Sequence, residues 1–166
     1  GRRAGLARVR SGWDDMSGDT LDAHFRLNLF APELLSRALV RSAGENAQPA
    51  IVNIVDQRIT NPNGDQLSYT LSKQALAGSV RSLAAAFGTR ARVNGVAPGL
   101  VIPTDDYDDV QMARLNDEMP LGQLPDAQAI AEAVLYLTKA KHVTGQIVFV
   151  DGGAHLRSYP RDFMHL

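Results

Sequence analysis

The spacing of apolar residues switches between helical and strand periodicity along the chain. Between Ser17 and Ala43 they recur every three or four positions, which predicts one long amphipathic helix, bent near Pro32. Ser17 or Asp19 is expected to cap its first turn. The nearly continuous apolar run "AIVNIVD" at 50–56 is typical of a strand buried on both faces in a parallel sheet.

Helical and strand patterns continue to alternate downstream. The predicted elements are, in order, a polar loop at 57–66, a helix at 68–87, a strand at 91–99, a long connection at 100–125 with room for one short helix, a helix at 127–140 capped by Asp126, and a strand at 145–153. This alternation predicts an α/β fold, in which helices flank a Rossmann-like parallel sheet.

Composition narrows the class of protein. The chain has 166 residues, 45% hydrophobic and 21% charged, which fits one globular domain, and its net charge of −1 argues against nucleic-acid binding. The absence of cysteine excludes disulfides and thiolate ligands. With no apolar run of membrane-spanning length, no membrane association and a cytoplasmic location are expected. His24, His142, His155 and His165 lack metal-ligand spacing, so no metal site is predicted.

Candidate chemistry lies in "SYTLSKQAL", residues 68–76. Residues four apart share one helix face, so Tyr69 and Lys73 are expected to present a phenol and an ammonium to the same spot. A nearby cation favours the phenolate, which lowers the pKa of the tyrosine and makes it a usable proton donor. By itself this spacing also fits a surface lysine beside a packed tyrosine.

Taken in order, the segments "RLNLFAP", "IVNIVD", "YTLSK", "RVNGVAPG" and "VTGQIVFVDGG" resemble the short-chain dehydrogenase/reductase family. The resemblance extends from Trp13 to Arg157 and implies an NAD(P)H-dependent oxidoreductase. It implies that Tyr69 is the proton donor, and that Lys73 lowers its pKa and holds the nicotinamide ribose. It also implies that Asn28 supports a water-linked proton relay to Lys73.

The same resemblance implies a cofactor-binding turn beside the nicotinamide at Pro98, Gly99, Leu100 and Val101. Asp56 departs from the common family pattern, which places a serine at the end of the "IVNI" strand. An aspartate there is similar to pteridine reductases and dihydromonapterin reductases, and a carboxyl group beside Tyr69 can relay a proton to a pterin ring nitrogen. The acidic segment "VAPGLVIPTDDYDD" is similar to the same branch. The other interpretation of Asp56 is a loop aspartate that satisfies local backbone amides.

Three functional hypotheses follow. The first is reduction of a dihydropterin or related pterin/folate substrate with NADPH, NADH remaining possible. The second is a short-chain carbonyl reductase acting on a 3-oxoacyl thioester or a sugar. The third is a catalytically silent fragment that acts as a dimerisation or interaction module. A homodimer or homotetramer formed through helices at 20–43 and 68–87 is implied by the resemblance.

The start of the chain departs from the family. No strand, glycine-rich turn and helix of the kind that binds a dinucleotide precede Trp13. Residues 1–12 are expected to be a disordered basic tail or a remnant of that turn, to whose end Gly1 to Ala7 is similar. Residues 13–166 then form the C-terminal part of a single reductase domain, and "AIVNIVD" is expected to become an exposed apolar edge. "VDGG" at 150–153 is expected to be structural.

Overall fold

The computed structural model of the protein describes residues 13, 16–102 and 107–166. The proposed remnant at Gly1 to Ala7 and part of the acidic segment lie outside the described residues. The helices are α1 (Gly18–Phe25), α2 (Ala31–Ser42), α3 (Leu67–Phe87), α4 (Asp109–Glu118) and α5 (Ala127–Lys139), and the strands are β1 (Ala50–Ile54), β2 (Arg92–Pro98) and β3 (Ile147–Val150). A π-helical segment (Arg26–Phe30) joins α1 to α2, and short 3-10 turns cover Gln57–Ile59, Gly88–Arg90, Ala154–Leu156 and Phe163–His165.

The strands form one parallel sheet in the order β1-β2-β3, so the predicted α/β class is confirmed. β2 is central and buried over nearly its whole length. In the described part of the chain β1 pairs with β2 alone, and its last residue, Ile54, is 43% exposed. The predicted apolar edge is therefore confirmed, whereas the prediction of a strand buried on both faces is wrong, because Ile51 and Asn53 on one face are buried while the residues on the other face are partly or largely exposed.

The first helical region runs without a break from residue 18 to residue 42. Ser17 caps it as predicted, accepting a hydrogen bond from the Thr20 amide. The irregularity expected near Pro32 is the π-helical segment, in which the Ala31 amide donates to the Arg26 carbonyl. Proline has no N–H to donate to the carbonyl of Asn28, and a widened turn ahead of Pro32 accommodates this gap in the hydrogen-bond ladder.

The two sides of β2 meet different helices, because alternate residues of a strand point to opposite faces. Val93 and Ala97 pack in apolar clusters with residues of α3. Arg92 and Asn94 point to the other face, towards α5 and the turn that follows it. The sheet is thereby covered on both sides, as expected for an α/β fold.

Arg92 closes the C-terminal end of α5. Its buried guanidinium donates to the carbonyls of Leu137, Thr138 and Ala140 at 2.8–2.9 Å. These carbonyls have no partners within the helix, so the arginine replaces the hydrogen bonds that a longer helix would supply. Asp126 caps the opposite end as predicted, accepting from the Ala129 amide.

A separate apolar cluster lies beyond the sheet. Leu115 of α4 and Met119, which directly follows the helix, pack there with Ala154 and Phe163, so that α4 is joined to the C-terminal segment. Within residues 13, 16–102 and 107–166, no helix combines the length and hydrophobicity needed to span a membrane.

Candidate active site

The candidate site lies where β1 and β2 end and α3 begins. β1 stops at Ile54, which places Asp56 just past the sheet, and α3 begins at Leu67, which places Tyr69 in its first turn. The Tyr69 hydroxyl donates to Asp56 Oδ2 at 2.7 Å, and the Arg58 amide donates to Asp56 Oδ1 at 2.8 Å. Asp56 therefore fits both interpretations of the sequence, since it satisfies a local amide and also contacts the candidate proton donor.

The surroundings of Tyr69 hold its proton in place. Burial of the phenol raises its pKa well above the ordinary value, and the charge of Asp56 and its hydrogen bond raise it further, while the charge of Arg58 opposes them. The ring also makes an edge contact with the His24 ring, with 5.9 Å between centroids. Burial and the adjacent carboxylate dominate the pKa of Tyr69 here, and the lowering of that pKa by Lys73 stays a prediction.

Lys73 shares the helix face of Tyr69, as predicted. Its Nζ lies 5.8 Å from the centre of the tyrosine ring and donates to the Ile54 carbonyl at 2.9 Å. Burial lowers the pKa of Lys73, whereas the negative charge of Asp56 opposes that effect. An ammonium has three N–H donors, and the described residues accept from one of them, which leaves two that could bind a ligand such as a ribose hydroxyl.

Asn28 reaches the site through the backbone of α3. Its Nδ2 donates to Ser72 Oγ at 2.9 Å, and Ser72 Oγ donates to the Tyr69 carbonyl at 2.6 Å. Asn28 lies in the π-helical segment, a type of helical irregularity that is frequent at functional sites. The structure thus links Asn28 to the turn of α3 that carries Tyr69. The implied relay from Asn28 to Lys73 stays a prediction.

The turn after β2 lies close to the backbone of the residues at the end of β3. The Gly99 amide donates to the Val150 carbonyl at 3.1 Å, and a Cβ at residue 99 would come within 3.0 Å of Asp151 Cα. Leu100 packs on the cluster around α4, and Val101 is half-buried. With Pro98 at the end of β2, this turn lies at the carboxyl edge of the sheet, where parallel sheets bind their ligands.

The "VDGG" segment has the structural role expected of it. Asp151 is buried and accepts from the Gly153 and His155 amides, so its carboxylate organises the turn. His155 Nδ1 also lies 2.9 Å from Asp151 Oδ2, and the His155 ring stacks on Phe149 with 4.2 Å between centroids.

Arg58 is a site residue that sequence reasoning missed. Its side chain is buried, and its guanidinium forms an ion pair with the buried carboxylate of Asp162. No local pattern marks an arginine in a polar loop as buried, because the partner that makes burial possible belongs to the last residues of the chain. Among the described residues there is no group of three or more His, Asp or Glu side chains able to hold a metal ion.

The chain is similar in sequence to known reductases. A family model described as enoyl-(acyl carrier protein) reductase matches residues 2–155. The chain is 34% identical to a 3-oxoacyl-[acyl-carrier-protein] reductase of Bos taurus over 89% of its own length and 60% of the relative. It is also 34% identical to pteridine reductase 1 of Leishmania tarentolae, over 80% of this chain and 49% of that one.

The fold is also similar to that of a reductase of known structure. An alternative dihydrofolate reductase from Brucella suis, in complex with NADP, superposes with a TM-score of 0.85 at 32% identity, covering 90% of this chain and 60% of that one. The chain therefore spans about half to three fifths of the length of these relatives.

Proposed function

The chain belongs to the short-chain dehydrogenase/reductase family, and on that premise we propose that it carries the catalytic residues of an NADPH-dependent reductase. The substrate class we propose is a dihydropterin or a related pterin or folate. Tyr69 is the proton donor, Asp56 its proton-relay partner, and Lys73 and Asn28 support the pair.

The hydrogen bond between Tyr69 and Asp56 is the observation that carries this proposal. Reduction of a ring C=N bond adds a hydride to the carbon and a proton to the nitrogen. The phenol of Tyr69, whose pKa lies above the ordinary tyrosine value, is protonated near neutral pH, which is the state from which it can donate to that nitrogen. Asp56 accepts from the same hydroxyl, so it lies where a carboxyl group can pass a replacement proton to the phenol.

The donor set at the edge of the sheet fits a nicotinamide nucleotide, which would supply the hydride when bound. The free N–H groups of Lys73 and the hydroxyl of Tyr69 suit a ribose. At Gly99 a Cβ would crowd Asp151, so the glycine lets this turn pack closely against the residues after β3 at the carboxyl edge of the sheet. We therefore propose Tyr69, Lys73 and the turn from Pro98 to Val101 as the cofactor-binding residues, with NADPH favoured over NADH.

A second candidate substrate is a 3-oxoacyl thioester. The 34% identity to the 3-oxoacyl-[acyl-carrier-protein] reductase of Bos taurus supports it as strongly as the identity to pteridine reductase 1 supports a pterin. A carbonyl substrate needs one proton on oxygen, which Tyr69 alone can donate. The presence of Asp56 beside Tyr69 is the reason to prefer the pterin.

We also propose that the protein associates with a second copy through α1, α2 and α3. Apolar side chains on these helices and on the π-helical segment between α1 and α2 are exposed, among them Leu27 at 64%, Leu35 at 70% and Leu71 at 37%. Exposed leucines on neighbouring helices form the kind of surface that buries well against another subunit. If cofactor binding fails, such association is the function that remains, as an interaction module.

The first test is titration of the chain with NADPH, following nucleotide fluorescence and thermal stability together. Binding to the folded state raises apparent stability in proportion to the logarithm of ligand concentration. Saturable binding with a rising Tm supports the reductase, whereas neither signal up to millimolar nucleotide leaves the interaction module as the better account. Light scattering on the same samples measures the oligomeric state.

The second test is turnover of dihydropterins and 3-oxoacyl thioesters by site variants. Tyr69→Phe is expected to lower kcat by about 10²- to 10⁴-fold on either substrate. Asp56→Ser is expected to reduce pterin turnover while sparing the thioester, which discriminates the two substrate classes. Tyr136→Phe and Asp117→Ala remove an exposed phenol and an exposed carboxylate and serve as matched controls. Equal losses on both substrates for Asp56→Ser would count against the pterin.

A further inference from the structure

The last residues of the chain fold back onto the loop that carries Asp56. Residues 157–166, here called the C-terminal clasp, meet the loop at 57–66 through the ion pair between Arg58 and Asp162. Next to it, the Asp162 amide and the Arg161 side chain both donate to Asp65 Oδ2 at 2.8 Å. The clasp therefore holds this loop through the side chains of Arg58 and Asp65.

The clasp itself is fixed to the body of the protein. Phe163 is buried in the cluster with Leu115, and its carbonyl accepts from Gln111 Nε2 at 2.9 Å. Its ring also makes an edge contact with Tyr159, with 4.9 Å between centroids. Because Asp162 directly precedes this anchor, its carboxylate offers Arg58 a rigid partner.

Arg58 connects the clasp to the proton donor. Its backbone amide holds Asp56 Oδ1, while Asp56 Oδ2 accepts from Tyr69. Its guanidinium is buried, and Nη1 has no hydrogen-bond partner among the described residues. A buried ion pair with an unpaired donor is a poor source of stability, because desolvation of the charges offsets their attraction. Stability alone therefore does not explain why an arginine lies there.

We infer that Arg58, held by Asp162 of the C-terminal clasp, is a positioning residue for the pair formed by Asp56 and Tyr69. The ion pair fixes the turn whose amide orients the Asp56 carboxylate, and it places a positive charge beside the phenol. The role of this pair in proton donation rests on the proposed function. The geometry of the positioning does not.

The charge of Arg58 gives the inference a signature that a merely structural residue lacks. The charged or titratable groups that face Tyr69 are Asp56, Arg58, Lys73 and His24. Arg58 lowers the pKa of Tyr69, so its neutralisation raises that pKa. Neutralising Asp162 instead leaves Arg58 as a cation without its anionic partner, which acts in the opposite direction.

The first arm of the test needs no turnover. The full chain is labelled with 3-fluorotyrosine, and the 19F resonance of residue 69 is assigned by its loss in Tyr69→Phe. Arg58→Gln and Asp162→Asn are expected to move this resonance, and Arg58→Lys to move it less. The control Arg26→Gln removes an exposed arginine from its pair with Asp22 and is expected to leave it unchanged.

The second arm is the pH profile of kcat. Arg58→Gln and Asp162→Asn are each expected to lower kcat about tenfold or more, with Arg58→Lys recovering part of the loss. A high-pH limb that reports ionisation of Tyr69 moves to higher pH in Arg58→Gln, because Arg58 lowers the pKa of Tyr69, and to lower pH in Asp162→Asn. KM for the nucleotide is expected to change little, because neither side chain belongs to the proposed cofactor set.

The outcomes separate the inference from the proposed function. A residue-69 resonance unmoved by both Arg58→Gln and Asp162→Asn overturns the inference. If the resonance moves but the wild type turns over no substrate, the proposed function fails and the positioning stands. If Arg58→Gln does not fold, Asp162→Asn and Arg58→Lys carry the same test.

Discussion

Tyr69 keeps its proton in the folded protein, and this makes folding stability at high pH sensitive to that one residue. Its pKa is raised by burial and by Asp56, whereas in the unfolded chain it returns to its ordinary value of about 10. Above that pH the unfolded chain loses a proton that the folded chain retains. Because the folded state then binds more protons, the free energy of unfolding must fall as pH rises.

The size of this effect follows from the ionisation of one phenol. At pH 11, one unit above the ordinary tyrosine pKa, ionisation of Tyr69 in the unfolded chain lowers the free energy of unfolding by about 1.4 kcal/mol. The contribution is fully present below pH 10 and is lost progressively above it. Tyr69→Phe removes this dependence, so its stability is expected to fall by about 1.4 kcal/mol less than that of the wild type between pH 8 and pH 11.

Urea unfolding at a series of pH values between 8 and 11 measures the difference. Loss of the hydrogen bond to Asp56 offsets the variant by a constant amount at the lower pH values, so the change with pH is the quantity to compare. Tyr136→Phe removes an exposed phenol from α5 and is expected to keep the wild-type profile. Parallel curves for Tyr69→Phe and the wild type would refute the reasoning, since they would mean that Tyr69 titrates alike in both states.

Three further predictions concern the fold around the site. Arg92→Met leaves the terminal carbonyls of α5 unpaired and is expected to lower the free energy of unfolding by about 3 kcal/mol. Its control, Arg90→Gln, removes a single hydrogen bond and is expected to lower the free energy of unfolding by less than about 1 kcal/mol. Gly152→Ala forces a Cβ against the Gln123 carbonyl at φ +67° and is expected to lower the free energy of unfolding by at least about 2 kcal/mol. Gly122 has the same φ but open space around it, so Gly122→Ala is expected to lower the free energy of unfolding by about 1 kcal/mol. Gln66 precedes α3 at φ +53°, so Gln66→Gly is expected to raise stability by about 0.5 kcal/mol. Calorimetry measures the stability of each variant. Equal losses within a pair would contradict the first two predictions, and a lower stability of Gln66→Gly than of the wild type would contradict the third.

Local patterns in the sequence predict most of the elements and the pair on α3. The spacing of Tyr69 and Lys73 places both on one helix face, and the caps at Ser17 and Asp126 follow from residue type and position alone. The carboxyl end of a strand marks where Asp56 lies. Each of these inferences needs only a few neighbouring residues, because backbone geometry fixes which side chains share a face or an edge.

Contacts between distant segments are a different matter. The burial of Arg58 depends on Asp162, and the burial of Arg92 depends on carbonyls at the end of α5. The sequence pattern predicts only that Arg58 is a polar residue of a loop and that Arg92 is a polar residue at the start of a strand. A pattern of apolar spacing carries no information on which charge will meet which partner, so these residues become visible only when the folded chain brings them together.

The ion pair between Arg58 and Asp162 also changes which cation matters to Tyr69, the proposed proton donor. Sequence spacing assigns that role to Lys73, yet its ammonium donates to the Ile54 carbonyl, and burial lowers its own pKa. Arg58 is buried, is paired with Asp162, and opposes the effect of Asp56 on the pKa of Tyr69. A guanidinium stays charged across the working pH range, whereas a lysine of lowered pKa is more easily neutralised. Arg58 is therefore the more dependable source of positive charge beside Tyr69, which leaves Lys73 for the ribose contact that we propose for it.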